Sequence, residues 1–298
     1  MDWRGLVAGE LRLTFDILFG LLIGFAILRS GLADRLMRRL VPHLRKAGIG
    51  SALGMALTLS LGSAKAGAAF IASALEGGRI SERSAKWGTL LLSFPAYLHR
   101  WPSTMVMAAS MAGTAGAIFG AILLLRSAAR FVLILFILRR GGAAAETAAE
   151  AGAGGSATTV RFNKKLLRTL PAAWFFFAVA YLLVPWAESA IKDWLLAGTI
   201  LPLAALAVAA ASIAHVSAAL AMAGGSLAAG ELTIAQAVFA LLLGNSFGIV
   251  TRLFRANAGY YFGLFSRDMA KWLLFWNFTT TAGFAVLSIA LAALPLVL

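Results

Sequence analysis

Apolar runs, separated by short polar or charged interruptions, fill almost the whole chain. They predict helical spans at about 13–28, 49–75, 81–98, 102–138, 166–184, 195–212, 216–228, 234–250 and 269–298, with a short Gly/Tyr/Phe tract at 256–265 before the last. A crossing needs about 20 residues, and the 102–138 tract is too long for one, so it reads as a short helix followed by a full one. The 49–75 stretch is dense in Gly, Ala and Ser, residues that let helices approach closely where lipid supplies no drive for association. Glu76-Gly77-Gly78 is a hairpin signal, and Ser81 before Glu82 is a good helix N-cap. The first residues lack the pattern of a cleaved leader, so the run at 13–28 is read as a retained helix.

Composition agrees with this pattern. Of 298 residues, 61% are hydrophobic and 13% are charged, with a mean hydropathy of +0.87. A soluble domain carries about 25% charged residues, so the chain predicts an all-α, polytopic integral membrane protein. The absence of cysteine excludes disulfides, thiol nucleophiles and thiolate metal sites.

The net charge of +14 is concentrated. Arg29, Arg35, Arg38, Arg39, Arg45 and Lys46 against Asp34 form one basic cluster. Arg139, Arg140, Arg161, Lys164, Lys165 and Arg168 against Glu146 and Glu150 form another. Both lie between spans, where cytoplasmic loops carry Lys and Arg and meet anionic headgroups. No aromatic-interleaved basic stripe indicates nucleic acid. The Gly/Ala/Ser/Thr segment 141–160 reads as a flexible cytoplasmic linker between a first membrane repeat, 1–140, and a second, 161–298.

Sliding the chain by 152 residues places Gly78-Arg79-Ile80-Ser81 on Gly230-Glu231-Leu232-Thr233 and Arg100 on Arg252. With both basic loops inside, the first repeat crosses an odd number of times, which inverts the second relative to it. The loop at 185–194 then lies outside, in keeping with its lack of positive excess. The expected fold is two inverted repeats of about five helical segments each, with broken or re-entrant helices, the usual plan of a secondary transporter or channel. The expected location is the cell inner (plasma) membrane.

The stretch Gly78-Arg79-Ile80-Ser81-Glu82-Arg83 with Leu90-Leu91-Leu92-Ser93-Phe94-Pro95, and its counterpart Gly230-Glu231-Leu232-Thr233 with Gly244-Asn245-Ser246-Phe247 and Arg252-Leu253-Phe254-Arg255, resembles the nucleoside-recognition, or Gate, domain membrane proteins. The resemblance covers about residues 48–276 and implies a polytopic helical fold with broken helices and a transport role, without naming nucleosides as the solute.

Polar groups at membrane depth require a partner or a wet cavity. Ser93, Phe94 and Pro95, and Asn245 with Ser246, interrupt apolar runs at matching places; they read as an opened helix offering ligand contacts or as packing kinks. Lys65, beside Ser63, has His215 and Ser217 in its counterpart region; it reads as an anion contact or as a snorkelling side chain. Arg100 and Arg252, with His99 and Arg255 beside them, read as a carboxylate or phosphate clamp or as interfacial anchors. Asn277 with Thr279, Thr280 and Thr281 suits ligand hydrogen bonds or helix association. Asp16 is a candidate coupling carboxylate, or the i,i+4 partner of Arg12.

No paired carboxylates, catalytic triad or metal-ligand cluster is visible, so no enzyme activity, cofactor or metal is expected. The reading is a secondary transporter or flippase-like carrier of a small organic anion, working by alternating access between the repeats. The alternative is a non-transporting membrane scaffold or assembly protein of the spore-maturation type. The expected partners are the solute and a bilayer with anionic headgroups; self-association into a homo-oligomer is left open.

Overall fold

Nine α-helices and no strand are found among the described residues of the computed structural model, which are 49–140, 201–253 and 257–297 with positions 11, 171 and 174. The chain clusters into two compact units. One comprises residues 1–99, 131–178 and 256–275; the other comprises 100–130, 179–255 and 276–298.

In the first unit, α1 (Ser51–Gly62) and α2 (Ala64–Glu76) replace the single helix expected over 49–75. Ser63 divides them with an extended backbone (φ −157°, ψ 119°). Its N–H closes α1 on the Leu59 carbonyl at 3.0 Å, and its hydroxyl accepts from the Ala66 N–H at 3.4 Å. One residue therefore caps both helices, a role open to serine at a helix start. At 12 and 13 residues the two helices are about 18 and 20 Å long, short of the ~30 Å hydrocarbon layer. Gly78 (φ +66°) ends α2 in the left-handed region, with the Arg79 N–H on Ala74 O at 2.9 Å and the Gly78 N–H on Leu75 O at 3.0 Å, the paired bonds of a Schellman end. Ser81 then caps α3 (Glu82–Leu91) through the Ser84 N–H at 3.2 Å, as its sequence predicts. The unit's buried core includes Ala56, Ile71, Leu90 and Leu91.

Leu92 breaks the chain before α4 (Ser93–Arg140). Pro95 lies in the first turn of α4, where its missing N–H costs no intrahelical bond. α4 is not one rod. At Ala112 (φ −125°) and Gly113 (φ +55°, ψ −134°) the backbone leaves helical geometry and turns back. The Trp101 indole donates to the Gly120 carbonyl at 3.1 Å across the turn, and an added Cβ at Gly116 would collide with the Ala108 carbonyl. The expected short helix followed by a full one is thus a helical hairpin, with arms at 93–111 and 114–140.

The second unit holds the middle of α4, α5 (Leu203–Ala214), α6 (Val216–Ala228), α7 (Ile234–Leu253) and the later part of α9 (Arg267–Val297); α8 (Gly259–Leu264) belongs to the first unit. Its local chemistry repeats that of the first. His215 is the extended residue between α5 and α6 (φ −141°, ψ 105°), and Gly230 (φ +73°) is the left-handed residue ending the next helix. Thr233 and Gln236 form a reciprocal capping box, at 2.9 and 3.3 Å, before α7. Helix starts at 51, 64 and 82 recur at 203, 216 and 234, and the break at Gly113 recurs as a break at Phe265 (φ −114°, ψ 169°), all offset by 152 residues. α5 packs on α6 and α7 around Val208, Ala209, Leu220, Leu241 and Leu242. The fully buried Ser212 hydroxyl donates to Leu241 O at 3.1 Å.

Two apolar helical stretches, Arg100–Arg140 and Arg267–Leu296, have the length and composition to cross a membrane. The distal arm of the first, 27 residues, is about 40 Å long by itself. Several of their large apolar side chains are uncovered: Leu125 is 67% exposed, Val132 62%, Val286 66% and Leu291 59%.

Adjacent glycines in α6 test this packing. A methyl at Gly224 would overlap the Met111 carbonyl oxygen, whereas nothing lies within 4 Å of one at Gly225. In thermal unfolding of the purified protein, Gly224→Ala should destabilise by about 1–3 kcal/mol, and Gly225→Ala should be neutral or stabilising by up to about 1 kcal/mol. Equal effects at the two positions would contradict the α6–α4 contact.

Candidate functional site

The most polar constellation inside the apolar helices of the second unit is built on two arginines one helical turn apart. Arg126 and Arg130 lie on the distal arm of α4, spaced i,i+4 and therefore on one face. Arg126 Nη2 donates to Asn245 Oδ1 of α7 at 3.1 Å. Arg130 uses two edges: Nη2 donates to Asn277 Oδ1 at 2.6 Å, and Nε donates to Thr280 Oγ1 at 2.9 Å, both on α9. Thr280 passes the chain on, its hydroxyl donating to the Trp276 carbonyl at 2.6 Å. Asn245, Asn277 and Thr280 are all buried. A guanidinium among apolar helices carries a large desolvation cost, and hydrogen bonds to a charged donor are worth about 1.5–3 kcal/mol each. These bonds fasten α4 to α7 and α9 within this unit.

Beside Arg126, a cleft of about 610 Å³ opens between the same three helices. Ile118, Ile122, Leu125 and Ala129 of α4 face Ile234 and Val238 of α7 and Phe284, Leu287 and Leu291 of α9 across it. Ser288 also lines it, with its hydroxyl donating to the Ala285 carbonyl at 2.7 Å. Arg126 is the only ionisable side chain among the described lining residues. The volume falls in the usual range of small-molecule sites, about 300–1,000 Å³.

Of the residues singled out in the sequence, Asn245 and Asn277 join this network directly. Ser246, next to Asn245, returns its hydroxyl to Leu242 O at 2.7 Å. The expected interruption at Gly244–Ser246 is not seen, because α7 runs continuously from Ile234 to Leu253. Gly244 serves close packing instead: a Cβ there would overlap the Ala209 carbonyl of α5. In the first unit α3 ends at Leu91 and α4 starts at Ser93, with Leu92 between them in helical backbone (φ −62°, ψ −20°); exposed Ser93 donates to Leu90 O at 3.0 Å and Phe94 packs on Phe131 with ring centroids 4.9 Å apart.

The other candidates lie elsewhere. Ser63 is the helix-dividing cap already described, and the half-buried Lys65 beside it accepts the Tyr260 hydroxyl on its carbonyl. His215 is exposed in its linker position, and Arg100 is exposed near the start of α4. His99 and Arg252 lie in helices without described side chains, and Arg255 and Asp16 lie outside the described residues. No cluster of three metal-ligating side chains occurs among the described residues.

Arg126 and Arg130 are not among the candidates read from the sequence. The available signal was their spacing: two arginines one turn apart in a helix with no other charge between Arg100 and Arg139.

The Arg130 contacts make a specific expectation. Asn277→Leu should lower stability by about 2 kcal/mol, the worth of one charge-assisted bond, whereas Asn277→Asp should retain it because a carboxylate oxygen replaces the amide oxygen. Thermal unfolding of both variants checks this, and an equal loss in both would contradict the pairing.

Comparison of the chain with family models, with curated proteins and with solved structures returns no match, so the family resemblance rests on its motif residues alone.

Proposed function

We propose that the protein is a multi-pass carrier of the cell inner membrane that moves a small organic anion by alternating access between two inverted repeats. One observation carries the reading: Arg126 and Arg130 stand one turn apart on an apolar helix, oriented by Asn245, Asn277 and Thr280, and Arg126 borders a cleft. Ionisable groups in membrane helices mark solute or ion pathways, and the guanidinium fork fits carboxylate and phosphate in two-point geometry.

Three further features support the reading. The helix starts and breaks recur at a 152-residue offset, as an internal repeat requires. The helices α1, α2 and α3 are shorter than the hydrocarbon layer, like the half-helices of inverted-repeat transporters. The long helices leave their apolar residues uncovered, where lipid would meet them. The basic clusters on either side favour a cytoplasmic 141–160 linker, and the motif residues favour kinship with the nucleoside-recognition proteins.

A thermal-shift panel of carboxylates, phosphate esters and nucleosides tests the proposal on the purified protein. At a free concentration a hundredfold above Kd, a true solute adds about 2.7 kcal/mol of stability. At least one anion should raise the wild-type melting temperature and leave Arg126→Gln unmoved. A panel in which no anion protects the wild type, or protects both proteins equally, would overturn the assignment.

A further inference from the structure

The cleft is longer and more apolar than a compact anion requires. Its α4 wall, from Ile118 to Ala129, and its α9 wall, from Phe284 to Pro295, each extend about 16 Å at helical rise. The charge sits toward one end, since Arg126 is one turn from Ala129 and two turns from Ile118. Beyond it the wall offers no further charge among the described lining residues, and the Ser288 hydroxyl is engaged with its own helix. Asn245 holds the guanidinium at the charged end.

A ligand complementary to this surface has one anionic group and one unbranched apolar tail. An extended twelve-carbon chain reaches roughly 14 Å at ordinary carbon–carbon bond lengths, close to the roughly 12 Å of wall between Arg126 and Ile118 at helical rise. A tail entering from water gains about 0.8 kcal/mol for each methylene buried, whereas one exchanging with lipid gains packing alone, so selectivity within the bilayer falls to the charged end. The geometry points to a single-chain anionic amphiphile of the fatty-carboxylate type as the occupant. Its carboxylate meets Arg126, and its chain lies between α4, α7 and α9 toward Ile118, Ile234 and Pro295. This rests on the carrier reading above and narrows its solute class.

The test uses the full chain in phosphatidylcholine nanodiscs and a dodecanoate probe with a photoreactive diazirine at the tail end. Crosslinks are expected on residues 234–238 of α7 and 287–295 of α9. Unlabelled dodecanoate should compete about tenfold better than dodecanol, the discrimination expected of one charge-assisted contact. Arg126→Gln should cut labelling about tenfold, Arg126→Lys should keep most of it, and Ala235→Trp, which fills the cleft from α7, should cut it with the charge intact. Should Arg126→Gln fold poorly, the lysine and tryptophan variants decide alone.

Dodecanol competing as well as dodecanoate, or variants labelled like wild type, would overturn the proposal. So would displacement by phosphatidylglycerol in the nanodisc as effective as by dodecanoate, which would assign the cleft to a bilayer lipid. The two readings fail separately. A compact anion that protects through Arg126 without displacing the probe would leave the carrier and remove the amphiphile. Arg126-dependent labelling without Arg126-dependent counterflow in proteoliposomes would leave the amphiphile site and remove the carrier.

Discussion

A guanidinium set into an apolar helix has to be paired or hydrated, and the second unit is organised around that requirement. Two arginines on the distal arm of α4 reach neutral oxygens on α7 and α9, at distances from 2.6 to 3.1 Å. Leucines in those places would leave Asn245, Asn277 and Thr280 buried without their arginine partners, while alanines on the opposite helices would remove these oxygens from the guanidinium groups. The polar set therefore stands or falls together. It also fixes the rotation of α4 about its axis, which decides that Leu125 faces the cleft rim and Arg126 its charged end. In this way an electrostatic necessity inside the fold produces an oriented charge at the cleft.

The helical hairpin in α4 supplies the geometry for this. Reversal at Gly113 brings the two arms together closely enough for the Trp101 indole to reach Gly120 and for Gly116 to lie against Ala108. The tip of the hairpin is received by Gly224 of α6, and Gly244 of α7 sits against Ala209 of α5. Small residues thus do in this unit what large apolar side chains do in a soluble core: they set the helix spacing, and the arginine bonds set the register.

Legibility in the sequence followed the range of the interaction. Local punctuation was readable: Ser81 caps α3, the Gly78 and Gly230 turns share a conformation, and the 152-residue offset reappears in helix starts. The extended break at Ser63 was not readable, because a small-residue run fits one long helix as well as two short ones until tertiary packing decides. Gly244 illustrates the opposite error. Its low helix propensity marks an interruption when read alone, but close approach to α5 accounts for a glycine in an unbroken helix. Asn245 and Asn277 were recognised as candidates from their depth in apolar runs, whereas their partners Arg126 and Arg130, 119 and 147 residues distant, were not. Pairing over such separations leaves no trace in spacing.

The proposed carrier requires that two halves of one chain, built to a single local plan, sit oppositely in a membrane. The chain has no cysteine, so single cysteines can report sidedness without background. The exposed hairpins at Gly77 and Ala229 occupy equivalent places in the repeat, 152 residues apart. With Gly77→Cys and Ala229→Cys produced separately in intact cells, a membrane-impermeant maleimide should label one variant and reach the other only after the membrane is opened. Labelling of both from the same side would contradict the inverted repeat, and with it the alternating-access account.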